Sequence, residues 1–450
     1  MTERSERGGS HRGGGSGGDR GGGGRGGDRG YRGGDRGYRD GERGRSRRVY
    51  DDEPRDGLLA DLVGHLHALD GRSYAAYKAI VGRYRAPAGW FLHIDRVQSD
   101  PYAPPTRIHV DVPTDLHGLE LLDEADLLAD ADRRLAVGDF LTRELHAGFR
   151  GTALSIASPG QEILQRSSII LRPDDKKEGT GWVLEVRARL ALPAQGRSIQ
   201  GHEASRIVGR DLVRELEEAM DLTGERGDRL VHHVATLEDH RALTATVDRN
   251  GWVAFLADGS VLPRRSGVSD DPLDGGVPLQ APESMAATVE LPHAGTVRGT
   301  VIEAGVNVIV GGGYHGKSTL LSAIERGVYP HVPGDGRELV ATVPDTVKVR
   351  AADGRAVTGV DLTPFISHLP AGRDTASFTT RNASGSTSQA ASIIEAVEAG
   401  ATTLLLDEDT SATNLLIRDS RMRELVAAER EPITPLVDRI TALFRRRGVS

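Results

Sequence analysis

The 450-residue sequence has no cysteine, and aromatic residues make up only 4% of it. The missing thiols exclude disulfide scaffolds, thiolate zinc sites, iron–sulfur clusters and cysteine nucleophiles together. Their absence fits a reducing compartment. No apolar run approaches the roughly 20 residues that cross a bilayer, and the N-terminus lacks the apolar stretch of a secretory signal. Membrane-spanning and secreted classes are therefore not expected, and the composition reads as cytoplasmic. Glycine is the residue in excess, at 57, where an ordinary share of ~7% predicts about 32. Nineteen of these fall in the first 48 residues, beside 13 Arg, no Lys and 7 acids. That segment carries +6, so the other 402 residues carry −14 of the overall −8.

Arg-Gly-Gly triplets begin at Arg7, Arg12, Arg20, Arg25 and Arg32, and Arg-Gly-Tyr at Arg29 and Arg36. With almost no apolar side chains, nothing offsets the entropy of ordering this chain, and residues 1–50 read as a disordered arm. Arginine gives phosphate oxygens a planar, bidentate fork. Tyr31 and Tyr38 offer faces on which bases stack, and such segments bind single strands with little sequence preference. RNA or single-stranded nucleic acid is the expected partner of the arm. The seven acids weaken the field, so the affinity is expected to be modest and salt-sensitive.

Order is expected from about Leu58. Leu58, Leu59, Leu62, Leu66 and Leu69 recur at helical spacing up to Asp70-Gly71. A second helix is read over Tyr74–Tyr84, a strand over Trp90–Ile94, and a charged helical stretch over Leu119–Leu145. Short strands follow at Leu154–Ala157, Ser168–Leu171 and Val183–Leu190, with a polar hairpin tip over Asp174–Gly179. Val208–Met220 is again helical. Residues 55–215 therefore read as an α+β domain without a self-evident catalytic constellation.

The informative region follows. Val306–Val310 is a short apolar run of the kind a buried strand shows, and it enters Gly311-Gly312-Gly313-Tyr314-His315-Gly316-Lys317-Ser318-Thr319. This satisfies the P-loop pattern, with a helix expected over Leu320–Arg326. Backbone N–H groups of such a glycine-rich nest converge on phosphate oxygens at a helix N-terminus, where the macrodipole is positive. Lys317 would reach the β- and γ-phosphates of ATP, and the Ser318 hydroxyl would coordinate Mg²⁺. A second apolar run, Leu404-Leu405-Leu406, ends in Asp407-Glu408. An acid at the C-terminal edge of a buried strand is placed to hold Mg²⁺, here Asp407, and Glu408 next to it to act as general base.

Between the two lies Ala383-Ser384-Gly385-Ser386-Thr387-Ser388-Gln389, opening a helix-like stretch up to Gly400. This resembles the signature loop Leu-Ser-Gly-Gly-Gln of the ABC class of ATPases, with Thr387 where the usual loop has Gln. Asp407-Glu408-Asp409-Thr410-Ser411-Ala412-Thr413-Asn414 resembles that class's Walker B and D-loop run, Asp409 replacing the usual Pro and Asn414 the usual Asp. The sequence resembles more closely still the stand-alone bacterial ATPases of this class, which have a relative in kinetoplastid mitochondrial RNA editing. Residues 257–267, 311–319, 327–331, 333–338 and 406–414 are similar to that family. Its likeness covers most of 250–450, reaches back weakly to about 55, and leaves the arm outside. The resemblance implies an N-terminal domain, an ABC-type ATPase core and a C-terminal domain; with the reading above, the chain is expected to be an α/β P-loop NTPase of ABC type over 216–450, preceded by the α+β N-terminal domain and the disordered tail. It further implies a head-to-tail homodimer in which Ser384, Gly385 and Ser386 of one subunit cap ATP on the other, and more chain beyond Ser450 than this sequence has. The expected activity is Mg²⁺-dependent ATP hydrolysis coupled to RNA binding, the alternative being an ATP-binding module with little turnover that regulates a protein partner.

Overall fold

The computed structural model describes residues 55–175, 181–367, 369, 374–426 and 431–450. The described residues all fall in one compact unit. The arm, with Arg7, Arg12, Arg20, Arg25, Arg32, Tyr31 and Tyr38, lies outside the described residues.

Strand β1 (Arg55–Leu58) runs into helix α1 (Leu59–Ala68), which buries Leu59, Leu62 and Leu66 at the spacing of three and four that one helical face requires. The stretch read as a helix over Tyr74–Tyr84 divides instead into a 3-10 segment, Tyr74–Ile80, and strand β2 (Gly82–Arg85). Gly82 makes the switch. Its φ is +154°, and a Cβ there would lie 2.3 Å from the carbonyl oxygen of Arg55, its parallel partner on β1. Only glycine allows that approach. Strands β3 (Phe91–Arg96) and β4 (Thr106–Pro113) follow. The helical stretch Leu119–Leu145 breaks into α2 (Leu121–Glu124) and α3 (Ala131–Gly148). Asp126 adopts φ +54° between them, and Asp130 caps α3 by accepting from the Arg133 N–H at 2.9 Å.

Strands β5 (Leu154–Ser155), β6 (Ile169–Pro173) and β7 (Trp182–Leu190) complete a seven-stranded sheet of order β1-β2-β3-β4-β7-β5, with β6 also on β7. Apart from β1–β2, every pairing is antiparallel. In such a sheet alternate residues face the core and the solvent. Leu92, Ile94, Ile108, Val110, Leu184 and Val186 are buried with Leu66, Leu141 and Leu145. The other face carries His93, Arg107, His109, Asp111, Glu185, Arg187 and Arg189, none of them fully buried. A small hairpin, β8 (Ala194–Gln195) and β9 (Ser198–Ile199), leads to α4 (Gly201–Arg206), a π-helical turn over Ile207–Asp211, and α5 (Leu212–Met220).

Helix α6 (Glu225–Arg249) opens the second half. It packs on β10 (Trp252–Ala257), the second-last strand of an antiparallel sheet. A hairpin, β11 (Arg264–Ser266) and β12 (Ser269–Pro272), precedes β13 (Ala286–Leu291) and β14 (Gly295–Glu303). Helix α7 (Lys317–Arg326) and β15 (Val340–Thr342) come next, the sheet order being β13-β14-β10-β15. After β16 (Thr346–Val349), strands β17 (Val357–Val360) and β18 (Phe378–Thr380) pair with each other. Helix α8 (Gly385–Glu398) then leads to β19 (Thr403–Leu406), which lies parallel to β16. Short helices α9 (Thr413–Leu416) and α10 (Ser420–Leu425), and α11 (Ile440–Arg447), follow. Among the described residues no helix is long and apolar enough to cross a membrane.

The strand expected over Val306–Val310 does not form. Val306, Val308 and Val310 are 54%, 75% and 82% exposed. A strand needs a neighbouring ladder, and this segment pairs with none of the described strands, while the start of β19 bonds the last residue of the sequence. Ser450 donates its N–H to Thr402 O and accepts from the Leu404 N–H, both at 2.9 Å. The valines alternate as a strand should, but without a partner the segment remains an extended loop.

The two halves are joined behind α7. Asp139 of α3 is fully buried; it accepts from Arg143 at 2.7 Å, from Arg166, and from the Leu164 N–H at 3.3 Å, with His233 Nε2 at 3.2 Å. Arg143 in turn donates to Gly160 O at 2.6 Å and Glu162 O at 2.9 Å. The loop thus held meets the end of α7. Arg326 pairs with Glu162 at 2.7 Å, the Ile163 N–H donates to Pro330 O, and the Val332 N–H donates to Gln161 O.

Candidate nucleotide site

Residues 311–316 turn the chain into α7 with every residue exposed. Gly316 caps the helix at φ +82°, and Tyr314 holds φ +61°, a left-handed conformation uncommon outside glycine. Lys317 folds back so that Nζ donates to Gly312 O at 2.8 Å, while the Gly312 N–H donates to His315 Nδ1 at 3.2 Å. Both contacts are solvent-exposed, so an incoming phosphate can exchange for them. Thr319 lies in the first turn of α7. Behind it, Thr342 Oγ1 donates to Ile324 O at 2.8 Å and Lys348 of β16 pairs with Glu325 at 2.8 Å, which fixes the helix on two strands.

Asp407 and Glu408 stand where β19 ends, as expected from the aliphatic run before them. Lys317, Ser318, Asp407 and Glu408 line one cavity of about 330 Å³, and the Gly305–Ile309 segment lines it too. One ammonium, one hydroxyl and two carboxylates, all unburied enough to exchange partners, form a donor set suited to a phosphate chain and a hard divalent cation.

Ser384, Gly385 and Ser386 do not line this cavity in the same chain. They form the N-terminus of α8, with Ser384 Oγ and Thr387 Oγ1 3.0 Å apart and Asn414 Nδ2 3.4 Å from Ser386 Oγ.

Gln389 escaped the sequence reading. It is fully buried one turn into α8; Nε2 donates to Ser411 Oγ at 2.9 Å and Oε1 accepts from the Ala412 N–H at 2.7 Å. The signal was an amide inside the otherwise small and apolar stretch Ser388–Ile393, since a buried amide must find partners. It ties α8 to the turn that follows Asp407. Gln389→Ala leaves the Ala412 N–H without its acceptor, and a loss of about 1–3 kcal/mol is expected in urea unfolding; unchanged stability would show that the turn is held by something else.

The stretches 257–267 and 327–338 meet in a second buried cluster. Arg264 grips Asp335 with two bonds of 2.7 and 2.8 Å, and His331 Nδ1 lies 2.7 Å from the same carboxylate. Burial alone would raise the Asp335 pKa, but the bonds from His331 and Arg264 outweigh it and hold the carboxyl below its usual range. These residues fasten the segment after α7 to the β11–β12 hairpin and do not touch the cavity.

Two family models match the chain. Residues 226–450 match the P-loop domain of the ABC ATPases, and residues 59–222 match the N-terminal region of ATPases of the ABC class. They meet at the Asp221–Gly224 connection between α5 and α6. The chain is also 29% identical over 245 residues to an uncharacterized protein of Methanocaldococcus jannaschii. That match takes in 49% of this chain and 54% of the relative, so the chain spans about half the length of the curated relative it matches. With the phosphate loop and the two strand-end acids on one cavity, and family models over both halves, the chain belongs to the ABC class of ATPases.

Proposed function

We propose that the chain binds and hydrolyses ATP with Mg²⁺ in the cavity between α7 and β19, and that the nucleotide state switches its hold on RNA or single-stranded nucleic acid. The observation that carries the ATPase part is the convergence of Lys317, Ser318, Asp407 and Glu408 on one cavity. In this reading the N–H groups of residues 311–316 hold the phosphates, and Lys317 neutralises the β- and γ-oxygens. Ser318 and Asp407 would hold Mg²⁺, which offsets charge building on the phosphate oxygens. Glu408 takes the proton from the water that attacks the γ-phosphorus, releasing ADP and phosphate. Ser384–Ser386 have no role at this cavity within one chain, which favours a head-to-tail homodimer where the α8 N-terminus of one subunit caps the γ-phosphate of the other. The assigned domains are the arm over 1–50, the N-terminal domain over 55–215 and the ATPase core over 216–450.

For the nucleic-acid part, the support is the Arg-Gly-rich composition of the arm. A switch requires that the ATP-bound and ADP-bound states differ in affinity for RNA, and the coupling must then be reciprocal. Steady-state phosphate release is to be measured with and without RNA, for the whole chain and for one lacking residues 1–48. The expected result is a several-fold RNA effect that disappears with the arm. Turnover indifferent to RNA sinks the switch and leaves the ATPase; ATP bound without turnover replaces the enzyme with a nucleotide-binding module that regulates a protein partner.

A further inference from the structure

The solvent face of the N-terminal sheet carries a row of like charges that the ATP site does not use. The strand register sets Arg96 of β3 opposite Arg107 of β4, Arg107 opposite Arg189 of β7, and Arg189 opposite Ser155 of β5. Directly opposed residues lie about 5 Å apart, so three guanidinium-bearing positions span roughly 10 Å, and like charges so placed destabilise a sheet. All three arginines are exposed, and none of their side chains makes an ion pair or hydrogen bond among the described residues. The acids nearby are committed elsewhere. Asp95 is 2.8 Å from His109 Nδ1, Asp111 pairs with Arg172 at 2.9 Å, and Glu185 is shared by Arg172 and Arg187.

The row borders a cavity of about 1000 Å³ whose wall also includes Ser155, Ser167 and Ser168. A cation is the wrong occupant. His93, His109 and Asp111 do bring one ligand atom each to within 4.8 Å of one another. Their imidazoles, however, stack at 4.2 Å with only 10° between the planes, so the ring nitrogens do not converge on one point. Arg172 already occupies Asp111, and the adjoining guanidinium excess repels a further positive charge.

We propose that Arg96, Arg107 and Arg189, with the serines beside them, form a phosphate-binding site on the N-terminal sheet, independent of the Lys317 loop. Its ligand is a phosphate-bearing anion, supplied either as consecutive phosphates of a nucleic-acid strand or as a small polyphosphate. The forks of unpaired arginines engage phosphate without first breaking an ion pair, and serine hydroxyls add donors. Neutralising the row also removes the cross-strand repulsion, so binding and sheet stability point the same way. The site does not depend on ATP hydrolysis.

The test uses the full chain carrying Lys317→Ala, so that the phosphate loop does not contribute, with and without R96Q/R107Q/R189Q. The probes are a fluorescent 12-nucleotide uridine strand and inorganic tripolyphosphate, each titrated from low to moderate salt. The triple substitution is expected to weaken at least one probe by tenfold or more. For the strand, three lost contacts at ~0.7 each flatten the slope of log affinity against log salt by about 2. Loss confined to tripolyphosphate identifies a small ligand; loss of strand binding with the flattened slope identifies a nucleic acid. Unchanged affinity for both overturns the site. Thermal unfolding supplies an independent check: the triple variant should be at least as stable as its parent, and a lowered Tm would make the row a structural element and overturn the proposal as well.

Discussion

Glu408→Gln is expected to cut steady-state ATP turnover by at least about 10²-fold, since a positioned general base contributes 10²–10⁴, while ATP affinity changes little. The substitution keeps the size of the side chain and removes only its ability to take a proton. Glu408 is exposed at the end of β19 and its carboxylate makes no hydrogen bond among the described residues, so the substitution leaves no buried group unpaired. Asp407, by contrast, accepts from the Asp409 N–H at 3.4 Å and shapes the turn itself. Replacing it would confound metal binding with backbone geometry. The measurement is phosphate release under saturating ATP, beside equilibrium binding of a fluorescent ATP analogue. Turnover within threefold of the parent would remove Glu408 from the proposed mechanism and transfer the base to a water or to another carboxylate. A parallel loss of binding would instead show that Glu408 holds the metal.

Asp139→Ala should be among the most destabilising single changes in the N-terminal half, by about 3–5 kcal/mol, the range for removing one partner of a buried ion pair. Arg143 and Arg166 both reach Asp139 inside the protein, and His233 lies at 3.2 Å. Burial, and next the Arg143 charge, push the His233 pKa down to about 3, so His233 is neutral at physiological pH. Burial also lowers Arg143 to about 10, which still leaves it protonated. One carboxylate therefore offsets two guanidiniums, and among the described residues no second carboxylate bonds both. Asp139→Asn is expected to fall between, since the amide retains an acceptor oxygen but loses the charge. Chemical denaturation checks the order, parent above Asn above Ala. A cost under 1 kcal/mol for Asp139→Ala would mean that the arginines reach solvent when released and that the loop over 160–166 is not held by this cluster.

Elements defined by local pattern were legible in the sequence. The leucines of α1, the helix after the glycine-rich loop and the aliphatic run of β19 each signal through neighbours a few residues away. Features set by distant partners were not. Val306–Val310 has the composition of a strand, yet it pairs with none of the described strands, and local composition does not report a missing partner. Gly82 looks like any glycine in a helical stretch until Arg55 is placed against it. The site was legible for the same reason as α7: Lys317 and Ser318 are fixed by a contiguous motif, and Asp407 and Glu408 by a strand end. The link between them and Gln389, across 22 residues to Ser411, was not.

The attachment behind α7 has a mechanical consequence. At ~1.5 Å per residue its ten residues make a rod of about 15 Å. The rod is fixed near Arg326–Val332, through Glu162 and the backbone bonds of residues 161 and 163, and loose at the glycine-rich tip. A lever of this kind, if it pivots at its attachment, converts a small displacement at its free end into rotation there. A shift of about 1 Å at the tip, with the helix moving as one piece of that length, is a tilt of roughly 4°. Such a tilt would be carried to the loop over 160–166 and, through the bonds of Arg143 to Gly160 and Glu162, to α3.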